Sequence, residues 1–94
     1  MEIAKASIVR SDAGRDKGTL FVVVAVEGEY LLLADGKGRK VESPKRKKRR
    51  HVEFVAADDS RLSDKIKSEE KITNSELRRT LAVYRGEVHP DQEG

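Results

Sequence analysis

Six consecutive basic side chains, Lys45 to Arg50, are the strongest concentration of charge in this chain of 94 residues. Lys37, Arg39 and Lys40 precede them closely. Arginine binds phosphate oxygens through two parallel hydrogen bonds, and lysine acts as a compact point charge. A dense basic segment is therefore typical of proteins that bind a polyanion such as nucleic acid.

The basic segment has other interpretations. Such runs also occur as solvated loops, as nuclear-localisation signals and as contacts for acidic proteins. A membrane-surface role is disfavoured, because the run lacks the interleaved Trp, Phe or Leu of an interfacial helix. Nucleic acid remains the favoured partner, since it would neutralise the mutual repulsion of the six charges.

A second candidate site is the polar loop that contains Gly14 and Gly18. Glycines allow backbone N–H groups to approach a phosphate closely, and Arg15 and Lys17 add positive charge. An ordinary connecting loop is the alternative. A nucleotide-binding P-loop is excluded, because it needs four residues between its glycines and then Lys and Ser or Thr, whereas three residues intervene here.

Composition limits the chemistry available. The net charge is +3, and residues 1–50 carry +6 whereas residues 51–94 carry −3. There is no cysteine, and His51 and His89 are far apart, so we expect no disulfide, metal site or cofactor. No serine stands in a recognisable arrangement with a base, so we expect no catalytic residues and no enzyme activity.

The first half of the chain is predicted to form short strands joined by tight turns, and the strands are expected over residues 3–10, 19–26, 30–34, 39–42 and 51–55. The run from Thr19 to Val26 is apolar at nearly every position, which predicts a strand that is buried on both faces or one that bends across a small barrel. Gly28 predicts one hairpin turn, and Asp35-Gly36 predicts a type I′ turn. Five such strands suggest a small closed or half-closed barrel. Its interior would be filled by alternating valines together with Phe21, Leu31, Leu33, Val41 and Phe54.

The last third is predicted to be helical. Thr73 and Glu76 form the sequence pattern of a capping box, and Leu77, Leu81 and Tyr84 recur on one helical face. This predicts a helix over residues 74–85 that ends before Gly86. A shorter helix is expected over residues 61–67, and the tail from residue 89 is expected to be disordered.

The strand, glycine loop and valine-rich strand between Ala6 and Gly36 resemble a KOW motif, with Gly18 at the motif's glycine. Residues 3–85 as a whole resemble small bacterial KOW-domain RNA-binding proteins related to archaeal and eukaryotic large-subunit ribosomal proteins. That family has an SH3-like barrel, a basic segment that is rich in Pro and Lys and ends in His, and then helices. Pro44, Lys45, Lys47 and His51 stand where that segment would be. The chain departs from the motif at Ala6-Ser7, where Gly-Asp is common, and at Leu20-Phe21.

The resemblance implies a mainly β protein with a five-stranded SH3-like (KOW) barrel over residues 1–58, including a basic loop at 44–51. A C-terminal helical extension and tail would occupy residues 59–94. The expected function is docking on structured RNA, with ribosomal RNA or the large ribosomal subunit as the target. The alternative is a protein-interaction module of the transcription-elongation type.

Only four aromatic residues are present, so little is available to stack on unpaired bases, which favours recognition of structured RNA. We expect a cytoplasmic protein that is a monomer when free, with no membrane segment. The residues expected to contact RNA are Arg15, Lys17, Lys37, Arg39, Lys40, Lys45, Arg46, Lys47, Lys48, Arg49, Arg50 and His51.

Overall fold

A computed structural model describes residues 3–87, which form five strands, one 3-10 turn and two helices. The elements are β1 (Ser7–Ser11), β2 (Leu20–Glu27), β3 (Tyr30–Ala34), β4 (Lys45–Lys48), the 3-10 turn (Arg49–His51), β5 (Val52–Ala57), α1 (Arg61–Lys67) and α2 (Asn74–Tyr84). The strands form one antiparallel sheet in the order β4-β3-β2-β1-β5. This confirms the predicted fold class, a mainly β, five-stranded barrel-like domain with a C-terminal helical extension.

The sheet has an apolar core on each side, and β2 shows why the chain folds this way. Phe21 and Val23 point to one side, into a cluster with Val9, Leu31 and Leu33 that fills the barrel interior. The alternate residues of β2, including Val22, point to the other side, where the two helices cover the sheet. The first half of β2 is buried on both faces, so two cores explain its apolar run. Its second half is half-buried and follows a register shift between Val23 and Ala25, which is typical of a strand that bends.

The helices contribute to the second core. Leu62 and Ile66 of α1 pack with Leu77 and Leu81 of α2 against the outer face of the sheet. The predicted capping box is present, because the Thr73 side chain accepts from the Glu76 N–H group while the Glu76 carboxylate accepts from the Thr73 N–H group. A hydrogen bond from Lys65, supported by the one from Thr73, lowers the pKa of Glu76.

Gly36 fixes where α2 meets the sheet. Its φ of +78° favours glycine, and a Cβ at this position would collide with the backbone carbonyl of Asn74. Arg78 reinforces this junction by donating to the Gly36 carbonyl at 2.6 Å. The loop after β3 and the first turn of α2 are therefore in direct backbone contact.

The predicted strand over residues 39–42 is wrong. The buried Asp35 carboxylate accepts hydrogen bonds from the N–H groups of Lys37 and Arg39, which folds the chain into a compact loop instead of a type I′ hairpin. The Val41 N–H group donates to the Asn74 side chain at 2.7 Å, not to a strand. Val41 packs with the helices, outside the barrel interior where it was expected.

The first strand is shorter at its beginning than predicted. Ala6 has a φ of +72°, and the Ser7 N–H group donates to the Ala4 carbonyl, so the chain turns immediately before β1. Ile3 nevertheless packs into the barrel interior. Between residues 3 and 87, neither helix has the length and apolar character required to cross a membrane. The predicted disordered tail from residue 89 lies outside the described residues.

Candidate nucleic-acid interface

The basic segment is a strand, so the prediction of a basic loop over residues 44–51 is wrong. β4 pairs with β3, with Lys45 opposite Leu33 and Lys47 opposite Leu31. Leu31 and Leu33 point into the barrel interior, so Lys45 and Lys47 stand on that same side of the strand. Arg46 and Lys48 point to the opposite side. Strand alternation thus divides one continuous run of cations between two environments.

Lys47 is buried and its charge is used inside the protein. Its ammonium lies 2.7 Å from Asp16 Oδ1, and it also donates to the Ser11 hydroxyl and to the Ala13 carbonyl. Lys45 lies 2.9 Å from the other oxygen of Asp16. The Asp16 carboxylate therefore joins β4 to the loop that follows β1, across the barrel.

Two opposing effects act on the pKa of Asp16. Burial alone would raise it, but hydrogen bonds from Lys47, Lys45 and Ser11 outweigh burial and hold the pKa well below its usual range. The carboxylate is therefore ionised at neutral pH and balances part of the charge of the basic strand. We remove Lys47 from the expected RNA contacts, since its ammonium is enclosed by these partners.

The glycine loop carries Asp16, the acidic partner in these ion pairs. Gly14 and Gly18 have φ values of +84° and +92°, which let the loop fold back on itself. The N–H groups of residues 17, 18 and 19 donate to the carbonyls of Gly14, Ser11 and Asp16. Those three N–H groups point to the protein's own backbone, so the side chains of Arg15 and Lys17 are the exposed donors of the loop.

The outer face of β4 carries a cation–aromatic cluster. The guanidinium of Arg46 lies 3.7 Å from the centre of the Tyr30 ring, and the ammonium of Lys48 lies 5.9 Å from it. Glu27 pairs with Arg46 at 3.6 Å, and the Arg46 side chain remains 59% exposed. The ring holds Arg46 in place while its charge stays available to solvent.

The cations after β4 differ in their exposure. Arg49 donates to the carbonyls of Ile3 and Gly28, so part of its guanidinium ties the N-terminal segment to the β2–β3 turn. Arg50 is exposed, and His51 is half-buried with its carbonyl accepting from the N–H group of Asp12. Of these residues, Arg50 is the one most open to a partner.

A cleft beside Lys45 brings together cations that are distant in sequence. Arg15, Arg39 and Lys45 line a cavity of about 380 Å³ with Thr19 and Gly38. We call this cavity the Lys45 cleft. Lys17, Lys37 and Lys40 are exposed on the same two loops but do not line it. Asp16 and Asp35 also line the cleft. The Asp16 carboxylate is paired with Lys45 and Lys47, and that of Asp35 accepts from two backbone N–H groups.

Sequence reasoning missed two contributors to this surface. Asp16 was not singled out, although it is an acid set between two basic residues in a glycine loop. Tyr30 was counted among aromatics reserved mainly for the core, but its register opposite Lys48 places it on the outer face. Within residues 3–87, no three metal-ligating side chains come together. Comparison with known protein families and with curated proteins gave no match to this chain.

Proposed function

We propose that this chain is a cytoplasmic RNA-binding protein that docks on structured RNA, with ribosomal RNA as the expected target. The observation that carries the proposal is a group of cations on β4, on the turn that follows it and on the two loops beside its beginning, of which all but the half-buried Lys48 are exposed. We call these residues the outer cations, and they are Arg15, Arg39, Arg46, Lys48 and Arg50.

The positions of the outer cations support binding to a phosphate backbone. β4 spans about 10 Å from Lys45 to Lys48, and the Lys45 cleft adjoins its beginning. Arg46 is held against Tyr30 and Glu27, so less side-chain entropy is lost when it binds than for a free arginine. Phosphate contacts of this kind recognise the shape of folded RNA without reading its sequence.

Charge alone does not distinguish RNA from duplex DNA, and the KOW resemblance is the reason for proposing RNA. The alternative is a protein-interaction module that engages the transcription machinery. The two proposals differ in what the outer cations do: they are essential for RNA docking, whereas a partner bound through the helices would not need them.

The test is sedimentation of a cell lysate on sucrose gradients at low and high salt. The test variant changes the five outer cations to Gln and leaves Lys45, Lys47 and Arg49 intact. We expect the tagged wild-type protein to travel with large ribosomal subunits and to be released by salt. The variant should stay at the top of the gradient.

A control variant changes five exposed helical-half cations to Gln, namely Arg61, Lys67, Lys71, Arg79 and Arg85. It lowers the net charge equally and should still co-sediment with the subunits. If wild type and both variants all remain at the top, the ribosomal target is wrong. If the outer-cation variant still co-sediments, the proposed surface is wrong.

A further inference from the structure

A cavity at the end of β4 combines an apolar floor with a basic rim. It measures about 630 Å³ and is lined by Ile3, Glu29, Lys48, Arg49, Arg50, Val52 and Phe54. We call it the Phe54 cavity. Its volume lies within the range of about 300–1,000 Å³ that is usual for small-ligand pockets.

The floor of the Phe54 cavity belongs to the barrel interior. Ile3 and Val52 are core residues, and Phe54 packs against the same cluster while remaining partly exposed. An aromatic ring at the mouth of an apolar interior offers a flat surface on which a planar group can stack. Phe54 therefore differs from the fully buried Phe21.

The rim adds charge next to this apolar surface. Arg50 is exposed and Lys48 is half-buried, while Arg49 keeps two carbonyl partners and so has a fixed position. A purely apolar ligand would leave these cations unused, and a bare phosphate would leave the floor unused. A nucleotide has both a planar base and an anionic phosphate, so it matches the floor and the rim together.

We propose that the Phe54 cavity binds one unpaired nucleotide of an RNA, with the base against Phe54 and the phosphate at Lys48 and Arg50. This inference rests on the proposed RNA-binding function and extends it from the phosphate backbone to a base. The exposed carboxylate of Glu29 accepts a hydrogen bond from an exocyclic amino group. Adenine, guanine and cytosine carry such a group, whereas uracil does not.

The test compares two RNA hairpins, one blunt and one with a single unpaired adenosine at its 3′ end. Wild-type protein should bind the second hairpin about fivefold to tenfold more tightly, which is the lower part of the range for base–aromatic stacking. Phe54→Leu should abolish this difference while leaving the affinity for the blunt hairpin unchanged. Tyr84→Leu removes an aromatic ring from the helix-covered side of the sheet, outside the cavity, and should preserve the difference.

Each contrary result is informative. Equal affinity of the wild type for both hairpins would overturn the nucleotide site but leave the proposed RNA binding in place. No binding to either hairpin would overturn both. Persistence of the difference in Phe54→Leu would also overturn the site.

A second measurement avoids dependence on the folding of a variant. Titration of the wild-type protein with an adenosine dinucleotide should shift the methyl NMR signals of Ile3 and Val52, because a stacked base places its ring current over the cavity floor. Unshifted methyl signals at saturation would contradict the proposal. A uridine dinucleotide should bind more weakly, and Glu29→Gln should reduce that preference.

Discussion

At the scale of the residue, six adjacent cations have three different environments. Lys45 and Lys47 pair with Asp16, and Arg49 binds backbone carbonyls. Arg46 and Lys48 lie at the Tyr30 ring on the outer side of β4, and Arg50 is likewise open to solvent. The period of two along a strand separates the pair at Asp16 from the pair at Tyr30. The sequence predicts the charge of this segment but not its division, since that depends on pairing with Leu31 and Leu33.

Loss of the Lys47 ammonium should therefore affect stability more than RNA affinity. Lys47→Met leaves the largely buried Asp16 carboxylate with Lys45 and Ser11 as its only partners. We expect the free energy of unfolding to fall by about 2–3 kcal/mol. The matched variant Lys48→Met removes a cation from the outer face and should change stability by about 0.5 kcal/mol or less. Urea denaturation measures both, and equal losses would contradict the assignment of Lys47 to the interior.

Asp16 predicts a specific acid dependence. Its folded-state pKa is depressed below the ordinary value of 3.8, so the stability it contributes is present above that value. This contribution is lost as the pH falls from the ordinary value towards the folded-state pKa. Wild type should be more stable than Asp16→Asn at pH 7, and the gap should narrow below about pH 4. Urea titrations between pH 7 and pH 2 test this, and a gap independent of pH would contradict it.

A further residue-scale feature is the Tyr84 hydroxyl, which donates to Asp58 at 3.1 Å. Burial and the nearby carboxylates of Asp58 and Asp59 raise the pKa of Tyr84 to about 12. The phenol therefore remains protonated at neutral pH and acts as a hydrogen-bond donor where α2 meets the end of β5. Helical spacing predicted packing of Tyr84 against the barrel, and its place in the second core confirms it.

At the scale of the element, strongly patterned segments were predictable and polar ones were not. β2 and β3 follow from apolar runs separated by Gly28, and α2 follows from its capping box and its apolar repeat. β4 was missed because Lys-Arg-Lys-Lys has no hydrophobic pattern; it is a strand because it pairs with the edge of β3. Lysine-rich edge strands also resist pairing with other chains.

The junction between the β3–β4 loop and α2 gives a prediction with a built-in control. Gly36 and Gly28 both have positive φ, but a Cβ would collide with α2 only at Gly36, and at Gly28 no atom lies within 4 Å. Gly28→Ala should cost about 1–2 kcal/mol for the backbone conformation alone. Gly36→Ala should cost clearly more, because the loop must move away from Asn74. Urea denaturation measures the free energy of unfolding of both variants, and equal losses would contradict the close contact between Gly36 and Asn74.

At the scale of the whole molecule, the barrel and helices bury two cores on either side of one sheet. This arrangement leaves one edge of the sheet, β4, beside two loops that carry five exposed cations, namely Arg15, Lys17, Lys37, Arg39 and Lys40. The composition predicted that the first half of the chain is basic, and in the folded protein these cations belong to the barrel-like part of the molecule. The Lys45 cleft was not predictable, because the contact between Asp16 and β4 that gathers Arg15 and Arg39 around Lys45 is long-range.

The outer cations also change the expected salt dependence. Neutralisation of about six phosphates by the whole run would give a slope of roughly −4 to −5 for log affinity against log salt. Lys47 is enclosed by its partners and should not contribute to that count, whereas the proposed RNA docking expects Arg15 and Arg39 on the adjoining loops to contribute. The salt dependence that the proposal predicts is therefore set by the number of outer cations that contact phosphates.

The most direct test of this account is the affinity for a structured ribosomal RNA fragment across a salt series. It should be measured for the wild type, for the outer-cation variant and for the variant of five helical-half cations. Each phosphate contact removed lowers the steepness of the slope by about one, so the outer-cation variant should have a slope that is shallower by about 3–5. The helical-half variant should keep the wild-type slope. Equal flattening in both variants would mean that net charge alone drives binding and would contradict a defined RNA surface along β4.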